Sequence, residues 1–139
     1  MVTGAAGLLG IYESSMHFIQ RDLKKNVSQY VSQQKPVVVE TAGSPTLGAA
    51  NAKFHIVEFS DFLCPACRQA SKYNTIMMAG NRDRFSLTFK NYPLDADCNA
   101  SLQQTIHPGA CQIAAAAACA HEQGKFWEFH DAVYRKAGS

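Results

Sequence analysis

The stretch from Lys53 to Met77 constrains this chain more than any other, because an apolar run passes through a pair of cysteines into a helical pattern. Phe54, Ile56, Val57 and Phe59 predict a buried strand, and Ser60 to Leu63 lead out of it into Cys64-Pro65-Ala66-Cys67. Strand, Cys-x-x-Cys, helix is a redox signature. Pro65 suits the first helical position, where its missing N–H would have no intrahelical partner. Cys64 is therefore expected at the helix N-terminus, where free backbone N–H groups and the helix dipole favour a thiolate. Cys67 returns to the same face one turn on, placed to close a disulfide with Cys64 and to expel a mixed-disulfide partner. The expected roles are nucleophile for Cys64 and resolving thiol for Cys67. The competing reading is half of a zinc site, since two thiolates at this spacing recur in zinc knuckles. Against it, no second Cys-x-x-Cys or His-x-His accompanies the pair, and a strand running straight into Cys-Pro is poor knuckle geometry.

A chain of 139 residues with 47% hydrophobic content can build one ordinary core, and its net charge of +2 marks neither a nucleic-acid binder nor an acidic tail. Five cysteines are more than a reducing cytosol usually tolerates without a metal or catalytic role, so the composition favours an oxidising compartment. Two regions are expected, an N-terminal apolar stretch with an amphipathic helix over 1–35 and a mixed α/β domain over 36–139. Met1 to Tyr12 lacks the basic start of a signal peptide and falls short of the about 20 apolar residues a membrane helix needs. It reads either as the tail of a membrane helix that would tether the chain or as a Gly/Ala-rich extension of the helix that follows. From Glu13 to Gln34, Met16, Ile19, Leu23, Val27 and Tyr30/Val31 form one apolar face, suited to packing on protein, a membrane surface or a partner.

Further along, Val37 to Glu40 predicts a short first strand and Ala42 to Ala52, with Gly43, Pro45 and Gly48, a loop. After the cysteines, Ala66, Ala70, Tyr73 and Met77 line one helix face, and Gly80-Asn81 closes the helix. Phe85, Leu87 and Phe89 alternate with Ser86, Thr88 and Lys90 as in a half-buried strand, and strand, helix, strand implies a parallel crossover. Asn91 to Ile106 reads as a long irregular connection. Pro108 opens an Ala-rich helix to about Glu122, Gly124 breaks it, and Phe126, Phe129 and Val133 stripe a last helix to Lys136.

Glu58-Phe59-Ser60-Asp61-Phe62 ahead of Cys64-Pro65-x-Cys67 resembles the active-site segment of the disulfide-bond protein A (DsbA) branch of the thioredoxin superfamily. Lys90 to Asn99, His107 to Cys111 and Gly124 to Asp131 are similar to the thioredoxin-like domain fused to bacterial vitamin K epoxide reductase (VKOR) homologues. The resemblance runs in order from about Ser44 to Ser139. It implies an α/β thioredoxin-like fold with a helical insertion, and beyond Phe126 it implies a cis-proline strand pair and final helix. No Thr-Pro or Val-Pro follows Phe126, so the domain is expected to stop before those elements, leaving the Phe54 to Phe59 strand as an open edge in need of a partner or a second copy. The family keeps an acidic residue at Glu58. A carboxylate buried there would hold its proton more tightly than in water and could shuttle the proton of Cys67, whereas the plainer reading is a solvent-facing strand glutamate.

Cys98 and Cys111 bracket twelve residues and invite a structural disulfide, one that the VKOR-fused relatives also carry, and such a closure is worth about 3 kcal/mol. The alternative is a second exchanging pair that passes electrons to Cys64 and Cys67. Cys119, among alanines, is expected to be buried and inert. The five histidines fall on different elements with no metal-ligand spacing. Asn26-Val-Ser28 and Asn99-Ala-Ser101 match a glycosylation sequon that is common by chance. Trp127, with Phe126, Phe129 and Tyr134, reads as core.

The function expected is thiol-disulfide exchange on protein or peptide cysteines, without a cofactor or metal, in an extracytoplasmic setting. An oxidase coupled to a VKOR- or DsbB-like membrane partner is the first choice. Ala66, standing where strongly oxidising relatives carry His, makes a milder oxidant the expectation. The rival class is a non-catalytic thioredoxin-like piece that binds a partner through its open edge or its amphipathic helix.

Overall fold

A computed structural model describes the backbone of residues 4–136 and, within the first helix, the side chains at 17, 18 and 20–33. The chain divides into two units, Met1–Val38 and Val39–Ser139. The first is one helix, α1 (Gly4–Gln33), into which the Gly/Ala-rich start runs without interruption. No helix among the described residues is long and apolar enough to cross a membrane. Of the predicted apolar face, Met16 and Ile19 lie outside the described side chains, while Leu23, Val27, Tyr30 and Val31 are exposed.

The second unit is a three-stranded sheet with helices. Its elements are β1 (Thr46–Gly48), β2 (Phe54–Ser60), α2 (Pro65–Met78), β3 (Phe85–Asn91), α3 (Ala110–Glu122) and α4 (Phe126–Lys136). The strand order is β1-β3-β2. β2 and β3 run parallel, with Phe54 opposite Phe85 and Glu58 opposite Phe89, as a β-α-β unit requires. β1 pairs antiparallel on the other side of β3.

Three expectations are corrected here. Val37 to Glu40 forms no strand, and Val38 is 96% exposed: a β-branched run has propensity but no partner and no face to bury. The first strand lies instead inside the predicted loop, at Thr46–Gly48. Gly48 has φ +89, and a Cβ on it would strike the carbonyl oxygen of Phe85, so only glycine lets the backbone pass this close to β3. β2 is an edge strand, as the open-edge expectation held, but not the buried strand its apolar run predicts: it pairs only with β3 among the described residues, and Phe54 and Phe59 are 43% and 54% exposed. The strand expected to be half-buried, β3, is central. Ser86, Leu87, Thr88 and Phe89 are all buried, so both of its faces are covered, the polar one by hydrogen bonds from Thr88 to Thr46 and Ser86 to His55.

The buried stripe of α2 also differs from the one predicted. Ser71 and Met78 are buried with Cys67 and Asn74 half-buried, whereas Tyr73 is exposed. These positions follow helical spacing, but two of the four are polar, with Asn74 bonded to Glu58, so apolar periodicity does not mark them. Gly80, at φ +76, ends the helix, and Asn81 Nδ2 caps the Met77 carbonyl at 3.1 Å. The core proper is Phe62, Phe89, Ala117, Phe126 and Tyr134, with Cys67 packed against it. Phe62 is its hub, 5.2 Å from both the Phe89 and Tyr134 rings. This places the residue two before Cys64 at the centre of the fold.

Candidate active site

The redox motif sits where β2 hands over to α2. Cys64 is the N-cap of α2, extended at φ −76 and ψ 121, with Pro65 in the first turn and no side-chain cap. Its sulfur therefore lies at a helix end whose first N–H groups lack intrahelical acceptors. The turn into the helix is held by the Cys64 N–H donating to the Asp61 carbonyl at 3.1 Å. Ala66 is exposed beside the motif and adds no polar group to it.

Cys64 and Cys67 are both free thiols and both half-buried, so their surroundings and not their exposure separate them. Burial pushes the Cys67 thiol up, the Ser60 hydroxyl and the Asp61 main chain oppose this by favouring the thiolate, and the neighbouring Cys64 adds to the rise. The two thiols form one unit in which a charge on Cys64 disfavours a charge on Cys67. Such a pair can alternate between dithiol and disulfide, with one sulfur ionising at a time.

Glu58 is not among the polar partners of Cys67. It is half-buried on β2, and its Oε2 accepts a 2.6 Å bond from Asn74 Nδ2 on α2, while Oε1 is buried with no partner. The carboxylate lines a cavity of about 130 Å³ with Ser71, Asn74, Met78, Trp127 and His130, space enough for water.

Sequence reasoning passed over two other carboxylates. Asp61 is 3% exposed; its Oδ1 accepts from the Leu63 N–H at 2.6 Å, and its Oδ2 accepts from the Leu94 N–H at 2.7 Å and lies 3.0 Å from His107 Nδ1. It thus ties the turn before Cys64 to the 92–109 connection. The bond to Leu63 is an Asx-turn, which an aspartate ahead of a helix can signal; the bonds to Leu94 and His107 have no local signature. Asp95 is the second. Burial works against its charge, but the Asp97 N–H, the Thr105 hydroxyl and the Cys111 and Gly109 N–H groups outweigh that and hold the carboxyl below its usual range. Around it the connection closes: Cys98 and Cys111 form a disulfide with Cα atoms 5.9 Å apart. Cys119 is exposed on α3 rather than buried, because its helix turns Ala117 inward. For the zinc reading, no three His, Cys, Asp or Glu side chains come together among the described residues to hold an ion.

A mixed α/β fold whose parallel β-α-β unit presents a Cys-Pro-Ala-Cys pair at the helix start is that of a thioredoxin-like domain, and the thioredoxin sequence pattern matches residues 40–139. The chain belongs to the thioredoxin family, in its DsbA-like form. It is 27% identical over 99 residues to "Probable disulfide bond formation protein D" of Bacillus anthracis, covering 65% of this chain and 39% of that protein. It is also similar to two proteins described as Na(+)/H(+) antiporters. With NhaA 3 of Salinispora tropica it is 34% identical over 85 residues, 60% of this chain and 11% of that protein. With NhaA 1 of Salinispora arenicola it is 31% identical over 91 residues, 66% of this chain and 12% of that protein. The chain thus spans a minor part of each of these relatives.

Proposed function

We propose that this domain exchanges disulfides with protein or peptide thiols, Cys64 being the nucleophile and Cys67 the resolving thiol. The observation that carries the reading is the asymmetry of the pair: Cys64 sits on the bare N-terminus of α2, while Cys67 is held one turn inside against the core and is pushed toward its thiol form. The outer sulfur attacks or is attacked; the inner one closes or leaves. The direction proposed is oxidation of substrate thiols, supported by similarity to a disulfide bond formation protein, with a membrane partner of the VKOR or DsbB type restoring the disulfide. An extracytoplasmic setting accords with the closed Cys98–Cys111 bond, which a reducing cytosol would not maintain. Glu58, with an unpartnered oxygen facing a water-sized cavity, is assigned as the proton store for the pair. Titration of the Cys64–Cys67 couple against glutathione, followed by oxidation of a reduced substrate protein, tests the reading. A potential as reducing as that of structural disulfides, with no substrate oxidation, would overturn it.

A second reading is favoured by one observation, the bare edge of β2 with Phe54 and Phe59 exposed beside it. In that reading the domain binds a partner by strand addition and its cysteines are idle. Unchanged partner binding after replacement of both Cys64 and Cys67, together with no exchange activity in the parent, would favour it.

A further inference from the structure

Ser60, the last residue of β2, and Tyr134, near the end of α4, are both buried, and their hydroxyl oxygens lie 3.0 Å apart. The Tyr134 hydroxyl also lies within donating distance, 3.3 Å, of the Asp61 carbonyl. Cys67 packs against the cluster that contains Tyr134, and the Ser60 hydroxyl favours its thiolate. The Ser60 hydroxyl, the Tyr134 hydroxyl and the Asp61 carbonyl thus form a hydrogen-bonded row beside Cys67.

Each hydroxyl has one proton to give, which restricts how the row can be arranged in each state of Cys67. When Cys67 is a thiol, its S–H can point to Ser60, Ser60 can donate to Tyr134, and Tyr134 can donate to the Asp61 carbonyl. When Cys67 is a thiolate, Ser60 must turn its proton to the sulfur, and its oxygen is then open to a donor from the other side. Tyr134 can supply that donor by swinging from the Asp61 carbonyl, which keeps its bond from the Cys64 N–H. Only protons rotate; no heavy atom needs to move. Burial, opposed by the Ser60 bond and reinforced by the charges of Cys67, Glu58 and Asp61, pushes the Tyr134 phenol well above its usual value, so it remains a donor throughout.

Building on the exchange reading of Cys64 and Cys67, we infer that Tyr134 is a positioning residue for the redox pair, acting through Ser60: by donating to the Ser60 oxygen it turns the Ser60 proton toward the Cys67 sulfur whenever that sulfur carries charge. The step it serves is the opening of the protein disulfide. A substrate thiolate attacks the Cys64 sulfur, the Cys64–Cys67 bond breaks as the new S–S bond forms, and the electron pair leaves on Cys67. The departing sulfur then accepts the Ser60 hydrogen bond until it takes up a proton. A donor that itself accepts a bond donates more strongly, so Tyr134 strengthens the contact without touching the sulfur. This links α4 to chemistry 67 residues earlier in the chain.

The test is carried out on the full chain with Cys64→Ser, in which Cys67 titrates without its partner and no exchange can occur. The pH profile of Cys67 alkylation is followed by peptide mass spectrometry. The titratable and charged groups around this position are Glu58 on β2, Asp61 after it, Arg68 and Lys72 on α2, and His130, Asp131 and Arg135 on α4, and all are retained. Ser60→Ala should shift the Cys67 midpoint upward, Tyr134→Phe should shift it upward by less, and Tyr134→Phe added to Ser60→Ala should shift it no further. Phe keeps the ring that packs on Phe62, so a purely structural role would leave the midpoint in place. An unmoved midpoint in Tyr134→Phe, or an equal shift with and without Ser60, would overturn the inference. In the chain with both cysteines, Tyr134→Phe should slow the opening of the disulfide by a substrate thiol more than it slows alkylation of Cys64; equal slowing would also overturn it. Absence of exchange in the unsubstituted chain would count against the proposed function alone, since the titration requires no turnover.

Discussion

At the scale of single residues, the site divides its work between two half-buried sulfurs with unequal surroundings. Brief iodoacetamide treatment at mildly acidic pH is expected to label Cys64 well ahead of Cys67, because burial holds the Cys67 thiol in its protonated form while Cys64 faces the N–H groups of α2. Mass spectrometry of the two peptides checks this, and equal labelling would remove the division of roles. Cys67→Ser should accumulate a mixed disulfide with substrate, since no second sulfur remains to release it. Asp61 is expected to matter as much for stability as for the site. Its carboxylate accepts from two backbone N–H groups, and Asp61→Ala leaves those buried donors unpaired at about 1–3 kcal/mol each. A chemical denaturation series on this variant measures the loss. Asp95 carries a pH signature. Its carboxyl is held below the usual aspartate value of about 3.9, so the stability it contributes is complete above that pH and is lost as the pH falls through the depressed value. An acid melt of Asp95→Asn should therefore lack part of the parent's loss of stability below about pH 4.

At the scale of elements, the 92–109 connection holds its shape with little regular structure, and its order comes from the Cys98–Cys111 bond, from Asp95 inside it and from Asp61 outside it. Replacing both Cys98 and Cys111 with Ser is expected to lower stability by about 3 kcal/mol, the chain-entropy value of such a closure, while leaving Cys64 alkylation unchanged. Differential scanning calorimetry and the labelling assay check the two halves. Retention of the parent's melting temperature would mean that Asp95 and its donors already fix the connection. The aromatic cluster joins this region to the redox helix. Phe62 touches Phe89, Phe126, Phe129 and Tyr134, and Phe62→Ala should cost about 3–5 kcal/mol because the surrounding rings cannot collapse into the space.

At the scale of the whole molecule, β2 has one strand neighbour among the described residues, and its Phe54 and Phe59 are exposed. An uncovered edge of this kind is a template for strand addition. The 139-residue chain is expected to associate with rising concentration in sedimentation velocity runs, and Phe59→Lys to weaken that association by placing a charge beside the edge. Concentration-independent sedimentation of the unsubstituted chain would refute this. What the sequence determined by itself were the features whose causes are local: the strand, the Cys-Pro turn and the helix start around Cys64, the Gly80 and Gly124 breaks, and the extent of α3 and α4 to within a few residues. Each follows from periodicity, a missing N–H or a glycine φ, and each can be stated without knowing what lies alongside. Tertiary structure alone decided that both faces of β3 are covered, which face of α2 is buried, that Gly48 and not Val38 meets the sheet, and that Cys119 faces outward. It alone placed Ser60 against Tyr134 and Asp61 against Leu94 and His107. Those outcomes depend on partners dozens of residues away, and a buried serine, asparagine or aspartate is stabilised by the hydrogen bond it finds there, which leaves no trace in its neighbours along the chain.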